Sequence, residues 1–229
     1  MCYSFIRQAV GQKRKGMRRM RVSKDPTVRK NEILDIAGKL FAEKGFDQTS
    51  TGEIIAQAGI ARGTLYYHFR SKEEIMDALV ERTTNELFTA AKQVADDLSL
   101  PIFQRFIQTV LALRLDTSAE EGQDMMDFVH RPQNALMHQK VQAAVVKEIT
   151  PVLTRIVEEG IEQGLFQTEY PYEAVEMAMI YANTVFDAQE LTSSEEMKAQ
   201  RVDGFFYLLE RMLGVEEGLL AKEMEGMFD

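Results

Sequence analysis

Two Ser-x-x-Glu signatures, Ser50-Thr51-Gly52-Glu53 and Ser71-Lys72-Glu73-Glu74, confine the stretch between them to short helical pieces. Each has the pattern of a capping box, in which the serine oxygen accepts from the N–H three residues on and the glutamate reaches back to the serine N–H. Each therefore opens a helix. Gly59 ends the first one soon after Ile54, Ile55 and Ala58. Ile60 and Ala61 then cross a tight turn into a second short helix over roughly 62–68. The helix opened by Ser71 is longer, running through Ile75, Ala78 and Leu79 to about Leu98.

A longer helix precedes this pair. From Thr27 onward Ile33, Ile36, Ala37, Leu40 and Phe41 fall on one face at helical spacing, and Gly45 stops the run. After Pro101 the helical period continues, with helices expected near 101–115, 119–130, 133–163, 172–190 and 195–213. Pro151 should kink or split the third of these. Ser193-x-x-Glu196 forms a third capping box, and residues 214–229 read as a loose terminal helix or tail. The fold class is all-α: an N-terminal three-helix unit at 27–72 and a larger helical domain at 73–229, preceded by a basic arm at 1–26.

Charge is divided along the same line. Residues 1–72 hold 15 Lys/Arg against 6 Asp/Glu, a net of +9, while residues 73–229 hold 12 against 30, a net of −18. A positive end is drawn to a polyanion and a negative remainder is repelled by it. The arm at 1–26 has eight basic residues and one acid, Asp25. It reads as an arm that touches DNA, as an inert tail, or as residues upstream of a start at Met17 or Met20. No run approaches the length of a membrane span, no apolar secretory segment opens the chain, and the only cysteine is Cys2. These features point to a cytoplasmic protein without disulfides. The three histidines have no cysteine near them, so there is no Cys/His zinc signature.

The segment 59–74, GIARGTLYYHFRSKEE, sets two tyrosines and a histidine among cations. Two short helices joined at a glycine and braced by a longer one make a helix-turn-helix. Its second helix packs by one face and offers the other to the major groove. Leu65 and Phe69 supply the packing face, leaving Arg62, Thr64, Tyr66, Tyr67 and His68 around the outside. Arginine can pair with guanine edges, while threonine and tyrosine hydroxyls reach phosphates. Gly63 permits close backbone approach. Lys72 lies in the first turn of the next helix, where free N–H groups favour a phosphate.

Residues 28–74, VRKNEILDIAGKLFAEKGFDQTSTGEIIAQAGIARGTLYYHFRSKEE, closely resemble the DNA-binding domain of the tetracycline-repressor (TetR) family of bacterial regulators. The resemblance covers about a fifth of the chain. It implies a symmetric homodimer on double-stranded DNA with a palindromic operator, usually repressing and released by a small-molecule effector. Carried over by position, Thr51 and Thr64 would contact phosphate or base and Arg62 a base edge. Tyr66, Tyr67, His68 and Lys72 would mostly hold the backbone.

The acidic remainder says less. Ten of the thirteen methionines lie in 73–229, where they suit either an adaptable pocket or an ordinary helical core. MMDFVHRPQNALMH (125–138) mixes polar with apolar groups as an orienting pocket does. Met125, Phe128, His130, His138 and Tyr181 are the ligand-binding candidates. Asp124, Asp127 and His130 recur every three residues, a spacing more typical of a solvated helix face than of a metal site. Ala178, Ala182 and Phe186 on one late helix, with Phe205, Leu209 and Met212 on the next, are candidates for a four-helix dimer interface; intrachain core is the competing reading. No nucleophile elbow, phosphate-cradling glycine loop or poised acid–base pair is present, so neither enzymatic activity nor a cofactor or metal is expected. A helical adaptor with an inactive head is the alternative to a ligand-responsive regulator.

Overall fold

Asp25 begins the first helix, its carboxylate accepting from the N–H groups of Thr27 (2.8 Å) and Val28 (3.3 Å). Pro26 suits the first helical position because its missing N–H would have had no partner there. The computed structural model describes residues 25–113, 132–186 and 194–225, and among these there is no strand. Helices α1 (Pro26–Lys44), α2 (Thr51–Ala58) and α3 (Arg62–His68) form the head. Helix α4 (Lys72–Ala95) leads into a body of α5 (Ile102–Leu111), a 3-10 turn (Pro132–Asn134), α6 (Ala135–Glu162), α7 (Pro171–Val185), α8 (Glu195–Leu213) and α9 (Leu219–Glu225).

Two hydrophobic cores result, and α4 belongs to both. Ile75, Met76, Leu79 and Val80 close the head core with Ile33, Leu34, Ala37, Leu40, Phe41, Ile54, Leu65 and Phe69. Farther along, Phe88, Ala91 and Ala95 enter the body core with residues of α5 to α9. The head core thus extends through the first two turns of α4, beyond the boundary expected at residue 72. At 24 residues, α4 is about 36 Å long, enough to span both. Helix α6 also touches both cores, with Met137, Val141 and Ala144 against the head and Ile149, Leu153, Ile156 and Val157 inside the body.

Pro151 does not split its helix: α6 runs unbroken over 28 residues. Pro151 and Lys147 are both exposed, so the carbonyl that proline leaves without a donor faces water. On the opposite side Ile149, Thr150, Leu153 and Thr154 are buried and keep the helix in place. The third cap lies one residue later than expected, with Ser194 accepting from the Met197 N–H (3.4 Å). The expected helix at 119–130 lies outside the described residues.

The C-terminal segment is docked at the start of α9. Glu210, 2% exposed, accepts from the N–H groups of Gly218 and Leu220 (2.7 Å each) at the start of α9. A buried carboxylate is tolerated there because it meets free N–H donors at the positive end of a helix. Leu220 is then buried in the body core. Gly214, at φ 67°, ends α8, and a Cβ there would come within 2.2 Å of the Gln167 carbonyl oxygen. That close approach permits the bond from Gln167 N–H to the Leu213 carbonyl (2.8 Å).

Where α5 and α6 meet, Arg105 is buried and paired with Glu159. Beside them, a Cβ on Gly160 would lie 2.1 Å from the Phe166 ring, itself fully buried. Gly160→Ala is expected to destabilise the body by about 1–3 kcal/mol through overpacking, seen as a lower urea midpoint. An unchanged midpoint would mean that the Phe166 ring yields without cost.

Candidate nucleic-acid interface

The loop between α1 and α2 is tied from several sides. The buried Thr49 hydroxyl donates to the carbonyls of Gly45 (2.8 Å) and Leu40 (3.3 Å). Lys44 at the end of α1 pairs with Glu53 in the first turn of α2. Glu53 also completes the capping box, accepting from the Ser50 N–H (2.8 Å) while Ser50 Oγ accepts from the Glu53 N–H (3.2 Å). The bond from Lys44, and after it those from Ser50, hold the Glu53 carboxyl down to about 2. The cap therefore stays charged far into acid.

Gly59 ends α2 in the left-handed conformation (φ 60°), and the Ile60 N–H donates back to Ile55 (3.3 Å). This turn sets the angle at which α3 leaves. Leu65 and Phe69, 1% and 2% exposed, then pin α3 and its C-terminal neighbour to the head core. The opposite side of α3 is open: Tyr67 is 76% exposed and Tyr66 40%. The Arg62 guanidinium lies 5.5 Å from the Tyr66 ring centroid, a cation–π distance. Hydrogen bonds, first from Thr51 and then from Arg62, hold the Tyr66 phenol below its ordinary value. Tyr66 thus connects the start of α2 to the start of α3. Gly63 is exposed, and a Cβ there would meet nothing within 4 Å. Thr51 and Thr64 are half-buried at the edge of the same surface.

His68 is half-buried at the far end of α3, edge-on to Tyr67 (5.0 Å between centroids). Burial first, then the charges of Lys30 and Arg29 on α1, hold its pKa below 6.5. Lys30 also lies over Phe69 (5.8 Å). Sequence reasoning left these two α1 cations out of the candidate surface, since the helical period does not tell which side of α1 faces α3.

Lys72 has an internal role as well. Its ammonium donates to the Phe46 carbonyl (2.7 Å) and lies 4.2 Å from the Phe46 ring. It therefore ties the α1–α2 loop to the start of α4. The second box also departs from the reciprocal form. Ser71 Oγ accepts from the Glu74 N–H (3.2 Å), but the Glu74 carboxylate accepts from Arg70 N–H (2.5 Å). Among the expected residues, Thr51, Arg62 and Tyr66 are thus neighbours, Tyr67 and His68 meet ring to ring, Gly63 and Thr64 lie on the same helix between them, and Lys72 is held apart at the α1–α2 loop.

The other candidates are dispersed. Met125, Phe128 and His130 lie outside the described residues. His138 is half-buried on α6, next to Met137, which packs against the head. Tyr181 is 39% exposed and stacks on Phe205 (5.7 Å, 11°) between α7 and α8. Ala178 and Leu209 are buried in the body core. Ala182, Phe186, Phe205 and Met212 are half-buried. The exposed large apolar side chains of these helices are Tyr172, Met177, Ile180 and Tyr181 on α7 and Met197, Tyr207 and Leu208 on α8. Among the described residues no group of three or more His, Cys, Asp or Glu could hold a metal ion, and no helix is long and apolar enough to cross a membrane.

Because the folded pKa of His68 is lowered, its contribution to stability is fully present above 6.5 and is lost as pH falls through the lower folded value. The stability advantage of the wild type over His68→Gln should therefore shrink between roughly pH 7.5 and 5, measured by urea unfolding. A difference independent of pH would show that His68 titrates alike in folded and unfolded chains.

The chain matches two family models. One, described as bacterial regulatory proteins of the tetR family, covers residues 33–79. The other, a tetracyclin repressor-like C-terminal domain, covers residues 117–206. The HTH-type transcriptional repressor KstR2 of Mycobacterium tuberculosis (strain CDC 1551 / Oshkosh) is 37% identical over 82 residues, 36% of this chain and 41% of that repressor. An HTH-type transcriptional regulator of Staphylococcus aureus (strain USA300) is 32% identical over 112 residues, 46% of this chain and 60% of its own length. The aligned part of the chain therefore spans between about two-fifths and three-fifths of these relatives. The crystal structure of RolR in complex with resorcinol has a TM-score of 0.55 at 20% identity, covering 86% of this chain and 93% of RolR. It shares the fold. The two models fall in the expected order, head then body, and the curated relatives are transcriptional regulators rather than enzymes. The chain belongs to the TetR family of bacterial regulatory proteins.

Proposed function

We propose that this protein is a DNA-binding transcriptional regulator, a homodimer that represses by occupying a palindromic operator and is released by a small-molecule effector. The observation that carries the reading is the outward face of α3, where Arg62, Tyr66 and Tyr67 are exposed while Leu65 is buried. Arg62 offers a planar fork to a guanine edge, with its direction set by the Tyr66 ring. Tyr66, Tyr67, Lys72 and the α1 cations suit phosphates on either side. Of the net +9 over residues 1–72, the arm at 1–26 carries +7, and residues 27–72 hold 7 Lys/Arg against 5 Asp/Glu. Arm and head together form the end of the chain that a duplex attracts, while the acidic remainder is repelled.

Dimerisation is supported by the outward faces of α7 and α8. Met177, Ile180, Tyr181, Tyr207 and Leu208 leave apolar surface uncovered. Gly204 lies within α8, and a Cβ at that position would meet nothing within 4 Å, so no packing within the described chain requires a glycine there. Mid-helix glycine costs about 1 kcal/mol relative to alanine, and close approach of a partner helix would explain its presence. The closest approach is then made by outward residues, with Ala178 and Leu209 supporting them from behind. Repression, rather than activation, is supported by the similarity to KstR2. An effector that prefers a dimer with wrongly spaced heads must weaken DNA binding by the same factor by which DNA weakens its own binding.

Selection of bound sequences from random duplexes by the purified protein should return a palindrome with two half-sites. Binding should fall steeply with salt, since each neutralised phosphate contributes a slope of about −0.9 in log K against log salt. Salt-sensitive binding without a consensus would reduce the protein to a nonspecific DNA binder. Absence of binding by effector-free protein would favour the adaptor reading. On the selected site, Arg62→Ala should cost about 1–3 kcal/mol and relax preference at one base pair of each half-site. Uniform weakening across all sequences would instead make Arg62 a phosphate contact.

A further inference from the structure

Helices α6 and α7 are joined by a reciprocal pair of side-chain bonds. Gln142 Nε2 donates to the Asn183 carbonyl (3.0 Å), and Asn183 Nδ2 donates to the Gln142 carbonyl (3.0 Å). Both residues are half-buried. The Asn183 carbonyl lies in the last turn of α7, where a helix leaves its carbonyls without donors of its own. The Gln142 carbonyl, mid-helix, uses its second lone pair. Each amide thus bonds the backbone of the other helix, which fixes both the distance between the helices and their register along the axis.

The position of this clasp gives it significance. Within two residues of Gln142 are Val141, packed against the head core, and Lys140, paired with Asp77 of α4 (2.5 Å). One turn before them, Met137 meets the same core. Gln133, just ahead of α6, approaches Gly45 at the end of α1, 3.2 Å from where a Gly45 Cβ would lie. On the other side of the clasp, Ile180 and Tyr181 lie within three residues of Asn183 on the exposed apolar face of α7. The two amides and the packed end of α6 thus stand between the outward face of α7 and the head.

We infer that Gln142 and Asn183 are positioning residues for DNA recognition: they set the head's placement relative to the dimer face, and hence the separation of the two reading heads. This rests on the dimeric reading above. Neither residue belongs to the DNA surface itself. Because each amide bonds to backbone, removing either one releases half of the clasp and leaves the DNA-facing side chains in place.

The test uses the full chain and a series of palindromic duplexes in which the half-site spacing is varied by single base pairs around the selected optimum. Wild type should show a sharp optimum. Gln142→Leu and Asn183→Leu should each weaken binding at the optimal spacing by about tenfold, the upper end of the scale for one lost neutral hydrogen bond. They should leave binding to a single half-site unchanged and flatten the dependence on spacing. The double variant, which removes both halves of the clasp, should flatten it further than either single one. Equal weakening at all spacings and on the half-site, together with a lowered melting temperature, would overturn the inference in favour of a merely structural contact. A sharp optimum retained in both variants would overturn it as well. If wild type itself shows no dependence on spacing, the dimeric operator reading falls and the clasp inference falls with it.

Discussion

Helix α4 is the constraint on which the other elements depend. Its first two turns complete the head core through Ile75, Met76, Leu79 and Val80, and its last three bury Phe88, Ala91 and Ala95 in the body. One continuous helix of 24 residues therefore contributes side chains to both cores. Thr84, buried between the two, satisfies its hydroxyl on its own helix by donating to Val80 (2.9 Å) and so requires nothing from either side. The helix is therefore part of both cores rather than a mere link between them.

Around that axis the head is fixed by local ties at its helix ends, while the body is held by the larger apolar core. Asp25, Ser50, Gly59 and Ser71 each settle one helix end, and Thr49, Lys44 and Lys72 tie the only loop of any length in the head. Such redundancy suits the role proposed above, in which Arg62 and Tyr66 would be presented in one geometry to a duplex. To helix-face packing the body adds polar ties between helices, among them the Arg105–Glu159 pair, the Glu210 cap and the Gln142–Asn183 clasp.

The helices of the head were legible because their signals are local. A capping box and a left-handed glycine act over three or four residues, and nothing distant had to be known to place α2 and α3. Leu65 and Phe69 were read correctly as the packing side of the recognition segment for the same reason. The body was harder. In α7 and α8 apolar residues occur on more than one side, so the period alone could not say which stripe faces inward. Ala178 and Leu209 turned out to lie within the chain's own core, while Met177, Ile180 and Leu208 face out. Pro151 was misleading for a related reason: its cost depends on whether the orphaned carbonyl meets water, and that depends on which face of α6 is buried.

The amino-acid sequence by itself determined that the chain is helical, where the short helices of the head begin and end, and that its positive charge is gathered at that end. These follow from hydrogen bonds and backbone preferences between near neighbours, together with simple counting of charge. Only the tertiary structure decided which cations stand beside His68, that Lys72 spends one donor on Phe46, and that Gln142 meets Asn183 across two helices. Those pairings join residues far apart in the chain. They exist because the packing of two cores around one helix brings the faces together, and no local pattern encodes which faces meet.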